Sequence, residues 1–159
     1  MLKIEFIHPK FLPTWILILL MRIGVFIPFQ FQVILGKIIG KVIYPFMSKL
    51  RATAYSNISN CFPEKKQPQV TSLVKHHFEA IGISLFETAN AYYGSDRKIK
   101  KLLTISNEHH FRDALKKEGG IILLCSHFMP LMLGSRALLI NNTIANIYRP
   151  QNNPLFDQV

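Results

Sequence analysis

Acidic side chains are scarce in this chain, and cysteine is scarcer still. Nine Asp and Glu stand against nineteen Lys and Arg in 159 residues, a formal net charge of +10. The shortage is uneven. Residues 1–63 hold seven basic residues and a single acid, Glu5, for +6; residues 64–118 contribute +3 and residues 119–159 contribute +1. The two cysteines, Cys61 and Cys125, lie far apart in unlike settings. That excludes a disulfide framework and fits a reducing compartment. Each reads as a small buried apolar residue. No nucleic-acid motif accompanies the positive charge, and the excess lies beside the most apolar stretch. The partner this favours is an anionic lipid surface, not nucleic acid.

What the chain has in quantity is apolar surface. Hydrophobic residues make up 49% of it, and its mean hydropathy of +0.21 is high for a soluble protein. Phe11 to Phe29 is apolar except for Thr14, Arg22 and two prolines. A spanning helix needs roughly 20 such residues, so the length just suffices. Arg22 near the middle is costly in lipid, and Pro28 ends or kinks a helix. A span and a half-inserted or interfacial helix both fit. Trp15 and Lys10 suit a headgroup-level anchor. No small-x-small cleavage site follows, so the segment reads as retained. Lys37, Lys41, Lys49 and Arg51 come after it, which favours a cytoplasmic location for the rest of the chain.

Beyond Pro28, Lys37 and Lys41 share one helical face, and Ile34, Ile38 and Val42 share another. This spacing predicts an amphipathic helix, limited by Pro45, that covers a core or lies on a membrane. From Pro68, the repeat of Val70, Val74, Phe78, Ile81, Leu85, Ala89 and Tyr92 predicts a long helix closed by Gly94. The pairs His76-His77 and His109-His110 are adjacent, hence about 100° apart on a helix. Adjacent histidines cannot chelate one ion as an i, i+4 pair does, so no metal site is expected. Residues 97–101 (RKIKK) read as a solvated face that could also meet lipid phosphates or an acidic carrier protein. A short β-like segment, Leu102 to Ser106, precedes a polar helix over 108–117 that Asn107 is placed to cap.

After Gly120 the run IILLC suits a buried parallel strand. Ser126-His127-Phe128 follows, Pro130 opens a helix to about Ile140, and Thr143 to Tyr148 reads as the next strand. This strand–helix–strand unit places His127 at the carboxyl end of a strand, where open α/β sheets gather their ligand sites. A lone histidine is as readily structural as catalytic at this level.

Four segments taken in order carry a resemblance: CFPE at 61–64, HHFEAIGISLFETANAYY at 76–93, SHFMPLMLGSR at 126–136 and YRPQNNPLFD at 148–157. Together the chain resembles the N-terminal half of the late acyltransferases of lipid A assembly, the family of the lauroyl and myristoyl transferases. The resemblance implies a glycerol-phosphate-acyltransferase-like α/β domain over 51–159, incomplete at its C-terminal side, behind membrane-associated helices over 1–50. It implies transfer of a fatty acyl chain from acyl carrier protein to a Kdo-bearing lipid A precursor at the cytoplasmic face of the bacterial inner membrane, with no cofactor and no nucleic acid. The family's signature is a histidine followed five positions later by Asp or Glu, as general base and orienting acid. His127 matches the first, but the second position is Met132. Arg149, and with it Arg136, are the implied substrate-binding residues, since a guanidinium pairs well with phosphate. An equal reading of Arg149 is a surface loop residue. The implied protein is therefore truncated and impaired. The alternative is a non-catalytic, membrane-associated remnant that binds lipid or acyl carrier protein.

Overall fold

A computed structural model describes residues 4–117, 120–145 and 149–158. After two 3-10 turns at Ile4–Ile7 and Pro9–Phe11, their regular structure is helical: α1 Leu12–Gly24, α2 Phe29–Ile43, α3 Ser48–Cys61, α4 Gln67–Tyr93, α5 Asp96–Leu102, α6 Glu108–Leu115, α7 Leu131–Leu139 and α8 Pro154–Gln158. Proline punctuates the first half. Pro13 sits in the first turn of α1, where its missing N–H is harmless. Pro28 precedes α2, and Pro45 falls between α2 and α3.

The long helix α4 is the spine. Val70, Val74 and Phe78 on its first half are buried against Ala54 of α3, with Ile43, Tyr44 and Ile58 around them. Tyr44 meets the Phe78 ring edge-on at 5.2 Å. Further along, Ala91 joins Ile99 of α5 and Leu133 of α7 in a second cluster. A third forms from Phe6, Phe11, Ile18 and Leu155, so α8 packs back onto the chain's beginning. Asn153 Nδ2 donates to Thr14 Oγ1 at 2.7 Å and ties these two distant segments together.

The most extensive helix pair is α2 with α4, and glycine makes it possible. A methyl group on Gly82 would overlap the Gly36 carbonyl oxygen, and one on Gly36 would stand 2.6 Å from Ile83 Cα. Gly40 faces the Phe78–Glu79 backbone just as closely. Where two backbones touch, only a residue without Cβ fits. Beside this crossing lies a buried amide pair. Gln32 Nε2 donates to Gly24 O at 2.8 Å and Ile27 O at 3.0 Å, and Asn90 Nδ2 donates to Gln32 Oε1 at 2.7 Å. Gln32 thus ties the start of α2 to the turn that follows α1, and α2 is keyed to α4.

The expected α/β sheet is not found: no strand occurs among the described residues. Leu102 closes α5, and 103–106 is a loop and turn. Residues 120–125 are irregular, with Ile122 and Leu124 each 99% exposed. Residues 143–145 are irregular too, and 146–148 of the second expected strand lie outside the described residues. A strand's hydrogen bonds are all made to a neighbour, and no described segment offers these runs a ladder. An apolar run alone carries no such partner.

The expected membrane-associated front end also changes. The apolar run 11–29 yields a helix of 13 residues, about 20 Å long against a hydrocarbon core of about 30 Å. Among the described residues, no helix is long and apolar enough to cross a membrane. In α2 the side that packs inward is Gln32, Gly36 and Gly40, and the Ile34, Ile38, Val42 stripe is exposed. The reading of that stripe as a core cover is wrong because its glycine face approaches α4 closely enough to take the core side itself.

Several local expectations hold. α4 ends at Gly94, although in an extended conformation, and a side chain there would overlap Asn90 O. α7 begins one residue after Pro130. Others do not. Both cysteines are exposed. Asn107 precedes α6 in a left-handed conformation (φ 57°) and makes no side-chain cap bond.

Overpacking a tight crossing costs roughly 1–3 kcal/mol or more, so Gly82→Ala should destabilise the chain by about 3 kcal/mol. Gly134→Ala, at a position where nothing lies within 4 Å, should instead stabilise by about 0.5–1 kcal/mol. Urea denaturation of the two variants measures both. Equal effects would remove the crossing from its central place.

Candidate functional site

His127 lies in an irregular segment immediately ahead of α7. Phe128 N donates to Ser126 O at 2.9 Å, a bond from i+2 to i that makes His127 the centre of a γ-turn. Leu131 N then donates to Phe128 O at 3.1 Å and Gly134 N to Pro130 O at 2.9 Å, so the chain passes from turn to helix without a break. The effect is to project the imidazole from a tight bend: His127 and its neighbours Ser126 and Phe128 are exposed. No described residue hydrogen-bonds to either ring nitrogen. An exposed, unengaged histidine is free to take a proton from a hydroxyl brought to it.

Met132 stands in the first turn of α7 and is 43% exposed. A thioether cannot hold an imidazolium, and no polar contact among the described residues brings Glu79, Glu87 or Asp157 to His127 in its place. Glu79 pairs with Lys41 across α2 and α4 at 3.5 Å. Asp157 accepts from Gln151 N at 3.0 Å. Glu87 lies on α4, half-buried, and burial pushes its carboxyl above the ordinary range.

The two arginines are not brought together with His127 by any polar contact among the described residues. Arg136, half-buried on α7, donates to Asp96 at the start of α5 and so joins those helices. It is already spent on a structural ion pair. Arg149 is exposed. Among the described residues there is no group of three or more His, Cys, Asp and Glu placed to hold a metal. The His109 and His110 rings lie 4.0 Å apart at 41° on exposed α6.

Sequence reasoning passed over the buried pair Gln32–Asn90 and the reach of Lys98, whose ammonium donates to Val25 O and Ile27 O. Apolar periodicity gave no signal for the first, since Gln32 lies on the side of α2 opposite the Ile34, Ile38, Val42 stripe.

The model of the bacterial lipid A biosynthesis acyltransferase family matches residues 2–159. The chain belongs to that family. It is 32% identical to the lipid A biosynthesis lauroyltransferase of Escherichia coli (strain K12), over 95% of this chain and 49% of that protein. To the lipid A biosynthesis palmitoleoyltransferase of the same organism it is 28% identical, over 98% of this chain and 51% of that protein. A lipid A biosynthesis acyltransferase of Haemophilus influenzae is 26% identical, over 96% and 49%. The chain spans about half the length of the curated relatives it matches. No solved structure matches it significantly.

Glu87 gives a test of the burial described here. A carboxyl whose folded pKa is raised binds its proton more tightly folded than unfolded, so stability falls as pH rises from the ordinary carboxylate range through the folded value. Glu87→Gln should therefore raise the melting temperature at pH 7 and leave it unchanged near pH 3.5. A variant that melts at or below the parent at pH 7 would show Glu87 to be favourably ionised.

Proposed function

We propose that this chain carries acyl-transfer chemistry of the kind its relatives are named for, on a Kdo-bearing lipid A precursor with acyl carrier protein as donor. His127 is the general base. Its Nε2 or Nδ1 takes the proton of the acceptor hydroxyl as the oxygen attacks the thioester carbonyl; the C–S bond then breaks, and the carrier's thiolate leaves with the proton returned by the imidazolium. The observation that carries this reading is the position of His127 at a γ-turn before α7, exposed and with both ring nitrogens free, inside a family match covering the chain.

Activity is low in this reading, because the acid that would orient the ring is Met132. In serine proteases, replacing the corresponding acid by its amide lowers turnover by about ten-thousandfold. Arg149, exposed near α8, is the residue we assign to acceptor phosphate. Arg136 is not free for it while it holds Asp96. The working place of the chain in this reading is the cytoplasmic face of the inner membrane, met through exposed apolar faces of its first helices. α1 presents Ile16, Leu19, Leu20 and Ile23, and α2 presents Ile34, Ile38 and Val42, all exposed. Their excess of Lys and Arg suits anionic headgroups.

Met132 also favours a second reading, in which the chain binds lipid or acyl carrier protein without turnover. The two separate cleanly. With lauroyl-acyl carrier protein and a Kdo-lipid A precursor, Met132→Glu should raise the rate of acyl transfer at least a hundredfold over the parent, and His127→Ala should abolish it. No gain from Met132→Glu in a protein with unchanged circular dichroism, alongside lipid binding that survives His127→Ala, selects the binding protein instead.

A further inference from the structure

The corner where α1 ends, α4 ends and α5 begins encloses a cleft of about 430 Å³ lined by Arg22, Val25, Phe26, Tyr93, Ser95 and Lys98. That volume falls in the range of small-ligand sites, roughly 300–1,000 Å³. Two of the six lining residues are cations and none is an acid. Among the described residues, no carboxylate lies within ion-pair distance of Arg22 or Lys98. Asp96, next in sequence to Ser95, is engaged by Arg136.

The donors here are held in place but largely unspent. The Arg22 guanidinium lies 5.0 Å from the centre of the Tyr93 ring. Resting on an aromatic face fixes the plane and leaves its N–H groups free, and no described acceptor takes one. Lys98 spends two of its three hydrogens on Val25 O and Ile27 O. Ser95 Oγ accepts from Lys98 N at 3.3 Å, while its own hydrogen, like that of the Tyr93 hydroxyl, goes to no described protein acceptor. Burial pulls the Lys98 pKa down. At the rim, Phe26 is 88% exposed, an apolar surface beside a cationic one.

We propose that this cleft binds the oxyanion of a phosphate group, with Arg22 and Lys98 supplying charge and the Ser95 and Tyr93 hydroxyls supplying further hydrogen bonds. Arg22 takes two phosphate oxygens through adjacent N–H groups. Phe26 lies where the organic part of a phosphate ester would leave the cleft. None of the lining residues belongs to the segment carrying His127, and the proposal does not rest on acyl transfer. Its ligand is a lipid phosphate headgroup or free phosphate, which share this chemistry.

The test uses the full chain in neutral detergent micelles, with inorganic phosphate titrated by calorimetry. In parallel, the chain is floated with vesicles of phosphatidylcholine with and without phosphatidic acid. Arg22→Gln should weaken binding at least tenfold, and Lys65→Gln, a cation outside the cleft, should leave it within twofold. Lys98→Arg should retain binding, which keeps the test sound if Lys98→Gln loses the α1 cap and unfolds. Binding of inorganic phosphate that is lost in Arg22→Gln assigns a site open to the free ion. A phosphatidic-acid-dependent increment lost in Arg22→Gln, without a phosphate response, assigns the lipid headgroup. The proposal is overturned if neither probe binds, or if Lys65→Gln weakens binding as much as Arg22→Gln.

Discussion

Helices α2 and α4 approach until their backbones touch, and this contact settles where nearly everything else can lie. Gly36, Gly40 and Gly82 leave no room for a side chain between the two axes. The same α4 is also the spine against which α1, α3 and α7 pack. The crossing also decides which side of α2 faces out. With the glycine face turned inward, Ile34, Ile38 and Val42 have nowhere to go but solvent or a partner.

Polar chemistry then fixes the register of the crossing. Gln32 and Asn90 are fully buried amides joined to one another. Their shared bond is worth about 1 kcal/mol, and each group left unsatisfied would cost about 1–3 kcal/mol. A slide of α2 along α4 by one turn would break the Gln32–Asn90 bond and leave Gln32 Oε1 without its donor. Asn90 Oδ1 has no partner even in the observed register, so this network has little slack. Lys98 reinforces it from α5 by holding two carbonyls of the same corner. The cleft that collects Arg22, Ser95 and Tyr93 is thus a by-product of satisfying the end of α1.

How far the sequence could be read follows from what each signal measures. The helix over Val70 to Tyr92 was legible because its apolar residues repeat at helical spacing, and Pro130 marked the start of α7 by a local backbone preference. Family membership was legible from ordered motifs, including His127. The sheet was misread because IILLC reports only that its residues are apolar. Pairing is a property of two segments, and no local pattern encodes the second. The apolar stripe of α2 stayed open between a core cover and a membrane face because hydrophobicity counts apolar area and not closeness of approach. The spacing of Gly36 and Gly40, four residues apart, was the available clue. The roles of Arg136 and Lys98 were invisible for a third reason: their partners, Asp96 and the Val25 and Ile27 carbonyls, are distant in sequence.

His127 sits at the other extreme from the crossing. Its surroundings are irregular, exposed and almost free of side-chain bonds, whereas the crossing is buried and closely packed. A general base needs a fixed pose relative to its substrate, and here the γ-turn fixes only the backbone. The imidazole can still turn about its own side-chain bonds, since Met132 offers no hydrogen bond to hold it. In this chain, then, the framework that positions the histidine is specified by packing, and the control of its ring is not. A carboxylate at position 132 would act on that second level alone, leaving the helical framework as it is.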